Sequence, residues 1–143
     1  MKKAALVTGG AQRIGKGISL FLASMGYDIA LHYNASEVEA RATAAQIKGK
    51  KCVCEIFSCN LANEGQTLSF MGKVKKRFPY LSLLVNSASV FDKSNLRDLN
   101  LKNLDLHFVI HFKSPYILSF DFVRLFKKGT IINVLDTHIT RNT

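Results

Sequence analysis

Three glycines punctuate a stretch near the start of the chain, Thr8-Gly9-Gly10-Ala11-Gln12-Arg13-Ile14-Gly15, and their spacing could hold an anion. Glycine has no Cβ, so backbone there can come very close to a diphosphate. Where a helix starts at once, its first N–H groups are unpaired and its dipole presents a positive end. Arg13 adds a permanent charge to the same stretch. No Gly-Lys-Ser/Thr follows, so the loop is not of the Walker A type. The competing reading is a glycine-rich turn with no ligand.

A second group follows some twenty residues later, in Leu31-His32-Tyr33-Asn34-Ala35-Ser36. A dinucleotide site that prefers an unphosphorylated ribose places a carboxylate near this point. Here the first acid is Glu37. A carboxylate would repel a 2′-phosphate, whereas Arg13, His32, Asn34 and Ser36 would accept one through charge and hydrogen bonds. The expected cofactor is therefore NADP(H) rather than NAD(H). His32 has an alternative reading, as a hydrogen-bonded residue at a strand end.

The elements that must position these groups alternate along the chain. Short apolar runs predict strands at residues 4–7, 29–33, 52–57, 83–85 and 131–135. Between them, apolar stripes at helical spacing predict four helices. Ile14, Ile18, Phe21 and Leu22 mark the first, which Gly26 stops. Ser36, with Glu39 three residues on, predicts a capping box for the second, which ends near Gly49. Leu68, Met71, Val74 and Phe78 mark the third, ended by Pro79. The fourth is predicted over 101–126, bent at Pro115, after a short helical turn at 96–99. Strand runs this apolar predict a mainly parallel, doubly wound α/β sheet covered on both faces, with right-handed crossovers. Residues 1–143 read as one incomplete Rossmann-like domain, truncated after its fifth strand.

These motifs together resemble the short-chain dehydrogenase/reductase family. Thr-Gly-x-x-x-Arg-Ile-Gly is most similar to its pteridine-reductase-like branch, where arginine stands at the place of the usual middle glycine. The resemblance implies that Gly9, Arg13, Ile14 and Gly15 line the cofactor. His32, Tyr33 and Ser36 match the His-Tyr-x-x-Ser of that branch. Asn60-Leu61 stands where the family has Asp-Leu beside the adenine. Asn86-Ser87-Ala88-Ser89 resembles the segment that passes beneath the ribose and nicotinamide, with Phe91 a candidate to stack on a flat substrate. His111, ahead of Ser114-Pro115, occupies the place of an asparagine that organises a proton-relay water, and it could equally be a structural histidine. Asp136 matches the aspartate that the branch has near its catalytic tyrosine. The resemblance therefore implies catalytic roles for Asp136 and His111.

The family's Tyr-x-x-x-Lys pair is expected about a dozen residues after Asp136, beyond Thr143. The chain has four tyrosines, and the residues four positions after them are Leu31, Glu37, Leu84 and Phe120. The implied function is an NADPH-dependent reductase, of pteridine or dihydrofolate type, represented by a portion without that pair. The alternative is a silent nucleotide-binding fragment or the remnant of a decayed gene. A small-molecule substrate, a pterin or carbonyl compound, is the expected partner, with a second copy or a complementing chain beside it.

Composition narrows the classes. With 48% hydrophobic residues the chain can build a core. The net charge is +10, and the basic stretches Lys48, Lys50, Lys51 and Lys73, Lys75, Lys76, Arg77 fall at predicted helix C-termini. They read as a solvated surface that complements helix dipoles. No zinc-finger spacing or aromatic-interleaved basic stripe suggests a nucleic-acid partner. Cys52, Cys54 and Cys59 lack neighbouring metal ligands, so no metal is expected, and an odd count fits a reducing compartment. No run reaches membrane-spanning length and no leader is visible, so the expectation is a cytoplasmic protein without a membrane partner.

Overall fold

The computed structural model describes residues 2–91 and 97–135. Its five strands form one parallel sheet in the order β3-β2-β1-β4-β5. They are β1 (Ala4–Val7), β2 (Asp28–Tyr33), β3 (Cys54–Ser58), β4 (Leu81–Asn86) and β5 (Thr130–Asn133). Helices α1 (Arg13–Ser24), α2 (Glu37–Lys48) and α3 (Glu64–Arg77) make the first three crossovers. The fourth contains α4 (Leu101–Phe108), a π turn (Val109–Lys113) and α5 (Ser114–Phe126) in succession. This is the doubly wound arrangement that the alternating apolar runs imply.

The alternation of β1 shows how the sheet separates two cores. Ala4 and Leu6 pack with Phe70, Met71, Val74, Leu118 and Phe122, on the side of α3 and α5. Ala5 and Val7 pack with Ile29, Leu31, Ala40, Ala44 and Ile47, on the side of α1 and α2. Successive side chains point to opposite faces, so a strand buried on both must be apolar throughout. All four residues of β1 are fully buried. Each fully buried Leu, Ile or Phe contributes about 1.5–3 kcal/mol relative to an exposed one.

Several boundaries differ from the sequence expectation. β2 begins at Asp28 because its carboxylate is paired, accepting from the Val53 N–H at 2.8 Å and the Tyr80 hydroxyl at 2.7 Å. Cys52 and Val53 precede β3, and β4 extends to Leu81 and Asn86. Ser36 stands at the N-cap of α2 but makes no side-chain capping bond. Glu37 instead pairs with Arg41 one turn on, at 2.6 Å. Arg97 and Asp98 form a turn rather than helix, and Leu96 lies outside the described residues.

The expected bend at Pro115 takes a specific form. Proline within a helix clashes with the carbonyl four residues back, here that of His111. The π turn widens the backbone over that carbonyl, so Pro115 falls in the first turn of α5. The sheet-facing side of this long helix carries Ile110, Ser114, Leu118 and Phe122, all buried. Its outward side carries Phe108, Phe112, Tyr116 and Phe120, each 57–66% exposed. An outward face of a doubly wound domain is ordinarily polar, and this one is an aromatic ladder.

Candidate cofactor site

The ends of β1, β2 and β4 converge on the glycine stretch. Gly9 has φ +63°, a left-handed conformation that glycine adopts without Cβ penalty. A Cβ at Gly9 would stand 2.9 Å from the Ala88 Cα. A Cβ at Gly15 would stand 2.0 Å from the Gly9 carbonyl oxygen. The two glycines let the turn fold back on itself and let the segment after β4 pass against it.

Hydroxyls pin this turn from three sides. Thr8 Oγ1 accepts from the N–H groups of Ser87 and Ala88 at 2.9 and 3.0 Å. Ser19 Oγ, fully buried, lies 2.9 Å from the Gly15 carbonyl and 3.4 Å from that of Gly10. Thr43 of α2 donates to the Ala11 carbonyl at 3.0 Å. The sequence reading quoted Thr8 only as part of its motif and passed over Ser19 and Thr43. Their signal was a small hydroxyl residue at an otherwise apolar position, which a buried site keeps only when a partner waits for it.

The start of α1 is left open. Gln12, at its N-cap, makes no side-chain capping bond, and the first turn contains no acid. By contrast α2 has Glu37 and Glu39 in its first turn, and α3 has Glu64 with an Asn63 side-chain cap. Among the described residues, the N–H groups opening α1 therefore meet neither a side-chain cap from Gln12 nor an acid in the same turn, and their positive potential is available to an anion. Arg13, the first residue of α1, has φ +48°. That conformation costs a non-glycine residue about 1–2 kcal/mol, and it explains why glycine is the usual occupant of this place in the family the sequence resembles. The exposed Arg13 guanidinium has no hydrogen-bond or ion-pair partner among the described residues.

His32 departs from the phosphate-contacting role expected of it. It is 2% exposed. Its Nδ1 accepts from the Gly9 N–H at 3.0 Å, and its Nε2 lies 2.9 Å from the Cys59 carbonyl. Since one partner donates and the other only accepts, the ring is neutral with its proton on Nε2. Burial pushes its pKa down to about 4, against a smaller upward pull from the Cys59 carbonyl. Both nitrogens are committed to the backbone, so His32 ties the glycine turn to the end of β3 from beneath.

The other sequence-derived residues fall into three groups. Tyr33, Asn34 and Ser36 line the tip of β2, where Tyr33 is half-buried and Asn34 exposed. Leu61 is buried in the core and acts through its carbonyl, which accepts from Thr67 and Ser114 hydroxyls. Asn60 is exposed, and its side-chain oxygen accepts from the Ala62 N–H at 2.9 Å. Ile14 is 66% exposed beside Arg13. Asn86 is buried, and its amide donates to Asn133 Oδ1 at 2.8 Å across β4 and β5. Ser89 and His111 are brought together, Oγ to Nε2 at 3.0 Å. Burial and then the neighbouring His107 hold the His111 pKa below its ordinary value. Phe91 is exposed, and Asp136 lies outside the described residues.

A glycine turn meeting an uncapped helix at the carboxyl ends of parallel strands is the arrangement of a doubly wound, nucleotide-binding-type domain. The short-chain dehydrogenase model matches residues 3–138, and the chain belongs to that family. It is 29% identical over 135 residues to the uncharacterized oxidoreductase YjdA of Bacillus subtilis, covering 92% of this chain and 54% of that protein. Among solved structures it superposes on the alternative dihydrofolate reductase 1, FolM, of Brucella canis, complexed with NADP. The TM-score is 0.90 at 31% identity, over 99% of this chain and 58% of the other. A short-chain dehydrogenase from Burkholderia cenocepacia in complex with NADP superposes with a TM-score of 0.92 at 28% identity, over 99% and 58%. The chain thus spans little more than half the length of the relatives it matches.

Proposed function

We propose that this chain is the NADP(H)-binding portion of a short-chain reductase. The observation that carries the reading is the uncapped, acid-free start of α1 beneath a turn whose glycines leave no room for a Cβ. The diphosphate would rest on those N–H groups. Arg13, Asn34 and Ser36, with Tyr33 beside them, would hold the 2′-phosphate, and Asn60 and Leu61 would border the adenine. Asn86, Ser87, Ala88 and Ser89 would pass beneath the ribose and nicotinamide. When bound, NADPH supplies hydride. The residues of this chain bind and orient it, and His111 holds Ser89 in place.

The substrate is a flat heterocycle such as a pterin or dihydrofolate, or else a carbonyl compound. The first is supported by Arg13 at the glycine place and by the superposition on FolM. Proton delivery would need the tyrosine and lysine that residues 1–143 do not contain at the required spacing, with Asp136 beside them. That pair would come from a longer chain or from a complementing one pairing at the open edge of β5. A second reading is a nucleotide-binding module without catalysis, favoured by His111 in place of asparagine.

Calorimetric titration separates these readings. The 143-residue chain is expected to bind NADPH at least tenfold more tightly than NADH, with no turnover of dihydropterin. Equal affinities, or none, would remove the NADP(H) assignment. Arg13→Gly should move two readouts in opposite directions. Stability rises by about 1 kcal/mol as the left-handed strain is relieved, while NADPH affinity falls roughly tenfold with loss of a charge-assisted bond.

The aromatic ladder supports self-association. Leu101, Leu104, Phe108, Phe112, Tyr116, Phe120 and Val123 are all more than half exposed. Together they offer on the order of 700 Å² of apolar surface, close to the roughly 800 Å² per partner of a stable interface. Strands added beyond β5 would extend the sheet sideways and leave this outward face bare, so a second copy is the fitting occupant. Light scattering should give a dimer, and Phe112→Glu with Tyr116→Glu a monomer. A monomeric parent chain at tens of micromolar would refute it.

A further inference from the structure

The topology gathers basic residues that look scattered in the sequence. In a parallel, doubly wound sheet every crossover helix ends at the amino-terminal edge of the strands. Lys48, Lys50 and Lys51 lie where α2 returns to β3. Lys75, Lys76 and Arg77 close α3 before β4, and Lys127 and Lys128 close α5 before β5. Lys2 and Lys3 precede β1 at the same end. Half of the 20 basic residues thus stand around the end of the sheet opposite the nucleotide crevice.

Few acids oppose them. Asp28 is buried and bound by Tyr80 and Val53, and Glu55 is paired with Arg77. Asp121, higher on α5, is buried and paired with Arg124. Glu37, Glu39 and Glu64 sit at helix N-termini, on the crevice end. Aromatic rings hold two of the cations close to the protein surface, Lys2 over Tyr80 at 5.1 Å and Lys3 over Tyr27 at 4.2 Å. Two exposed apolar side chains share this end, Met25 between α1 and β2 and Val53 ahead of β3.

We propose that this basic end of the sheet docks on an anionic lipid surface, with the nucleotide crevice facing away from it. The face built from strand starts and helix ends spans about 19 Å across five strands at their usual spacing. Among the described residues no helix or ribbon projects from it to enter a groove, which disfavours a nucleic acid. The lysines supply the attraction, and Met25 and Val53 supply shallow apolar contact.

The test is sedimentation of the 143-residue chain with vesicles at about 0.1 M salt. Vesicles with roughly one-third phosphatidylglycerol in phosphatidylcholine should carry the protein down, and pure phosphatidylcholine should not. Each cation removed should weaken partitioning about fivefold. Lys50→Gln/Lys76→Gln/Lys128→Gln then loses roughly a hundredfold, and Lys50→Gln alone keeps the test readable if the triple variant loses its circular dichroism signal. Lys102→Gln, on the crevice end, should change nothing. No sedimentation, equal sedimentation with neutral vesicles, or full binding by a folded triple variant overturns the proposal. Retention on duplex DNA at a salt concentration that releases the vesicles also overturns it, in favour of a nucleic-acid partner.

Discussion

Gly15→Ala is expected to cost about 3 kcal/mol of stability and to abolish NADPH binding. The new Cβ would meet only backbone: the Gly9 oxygen at 2.0 Å, the Gly9 carbonyl carbon at 2.7 Å and the Gly10 Cα at 3.1 Å. No side chain can swing aside, so the turn itself must open, at the upper end of overpacking costs. Opening it moves Gly9 off the His32 nitrogen and away from Ala88. Gly17→Ala, half a turn further along the same helix, is the matched control. A Cβ there meets nothing within 4 Å, and the better helix former should add up to about 1 kcal/mol. Urea unfolding of the two variants gives shifts of opposite sign. Equal shifts would mean that the turn is not packed as described.

The second large effect is a loss of stability in mild acid. His32 has a folded-state pKa of about 4, against 6.5 for the free side chain. Above pH 6.5 it is neutral in both states and costs nothing. As pH falls from 6.5 towards 4 the unfolded chain takes up a proton that the folded chain refuses, so unfolding becomes easier. The full shift corresponds to about 3 kcal/mol. His111, also held low but more exposed, adds a smaller slope in the same direction. Glu55, whose carboxyl is lowered chiefly by its bond to Arg77, acts in that direction only at still lower pH. Urea midpoints from about pH 7.5 to 4.5 should therefore fall steeply. In His32→Gln the protein should start less stable and show a flatter decline. An unchanged slope in that variant would place the acid sensitivity elsewhere.

His32 also shows where sequence reading reached its limit. Its position at the tip of β2 was legible, and so was the absence of a carboxylate there. Whether its ring faces a ligand or the turn beneath depends on the path of Gly9, a residue 23 positions away. A longer separation hid the role of Thr8, whose hydroxyl serves amides about 80 positions on. Elements of strong local pattern were readable: the apolar four of β1 stand where expected, and of the α3 stripe Met71, Val74 and Phe78 are buried, whereas Leu68 is exposed and Phe70 takes the inward place. Boundaries moved where a side chain far along the chain intervened, as Tyr80 does for Asp28. The π turn had only Pro115 as its signal, since widening one turn changes no periodicity over so short a span. The pairing of Ser89 with His111, which lies within that turn, is announced by neither residue type alone.

The strand order bears on how the polypeptide can mature as it leaves the ribosome. β1 lies between β2 and β4. The first three strands and their two helices can settle as a nascent unit once residue 58 has emerged. β1 then still has one row of amides and carbonyls bare, because Leu6 and Val7 find their other neighbours only in Leu84 and Val85. The most deeply enclosed strand is thus among the first made and the last but one to be fully paired, a delay set by translation speed over the intervening residues.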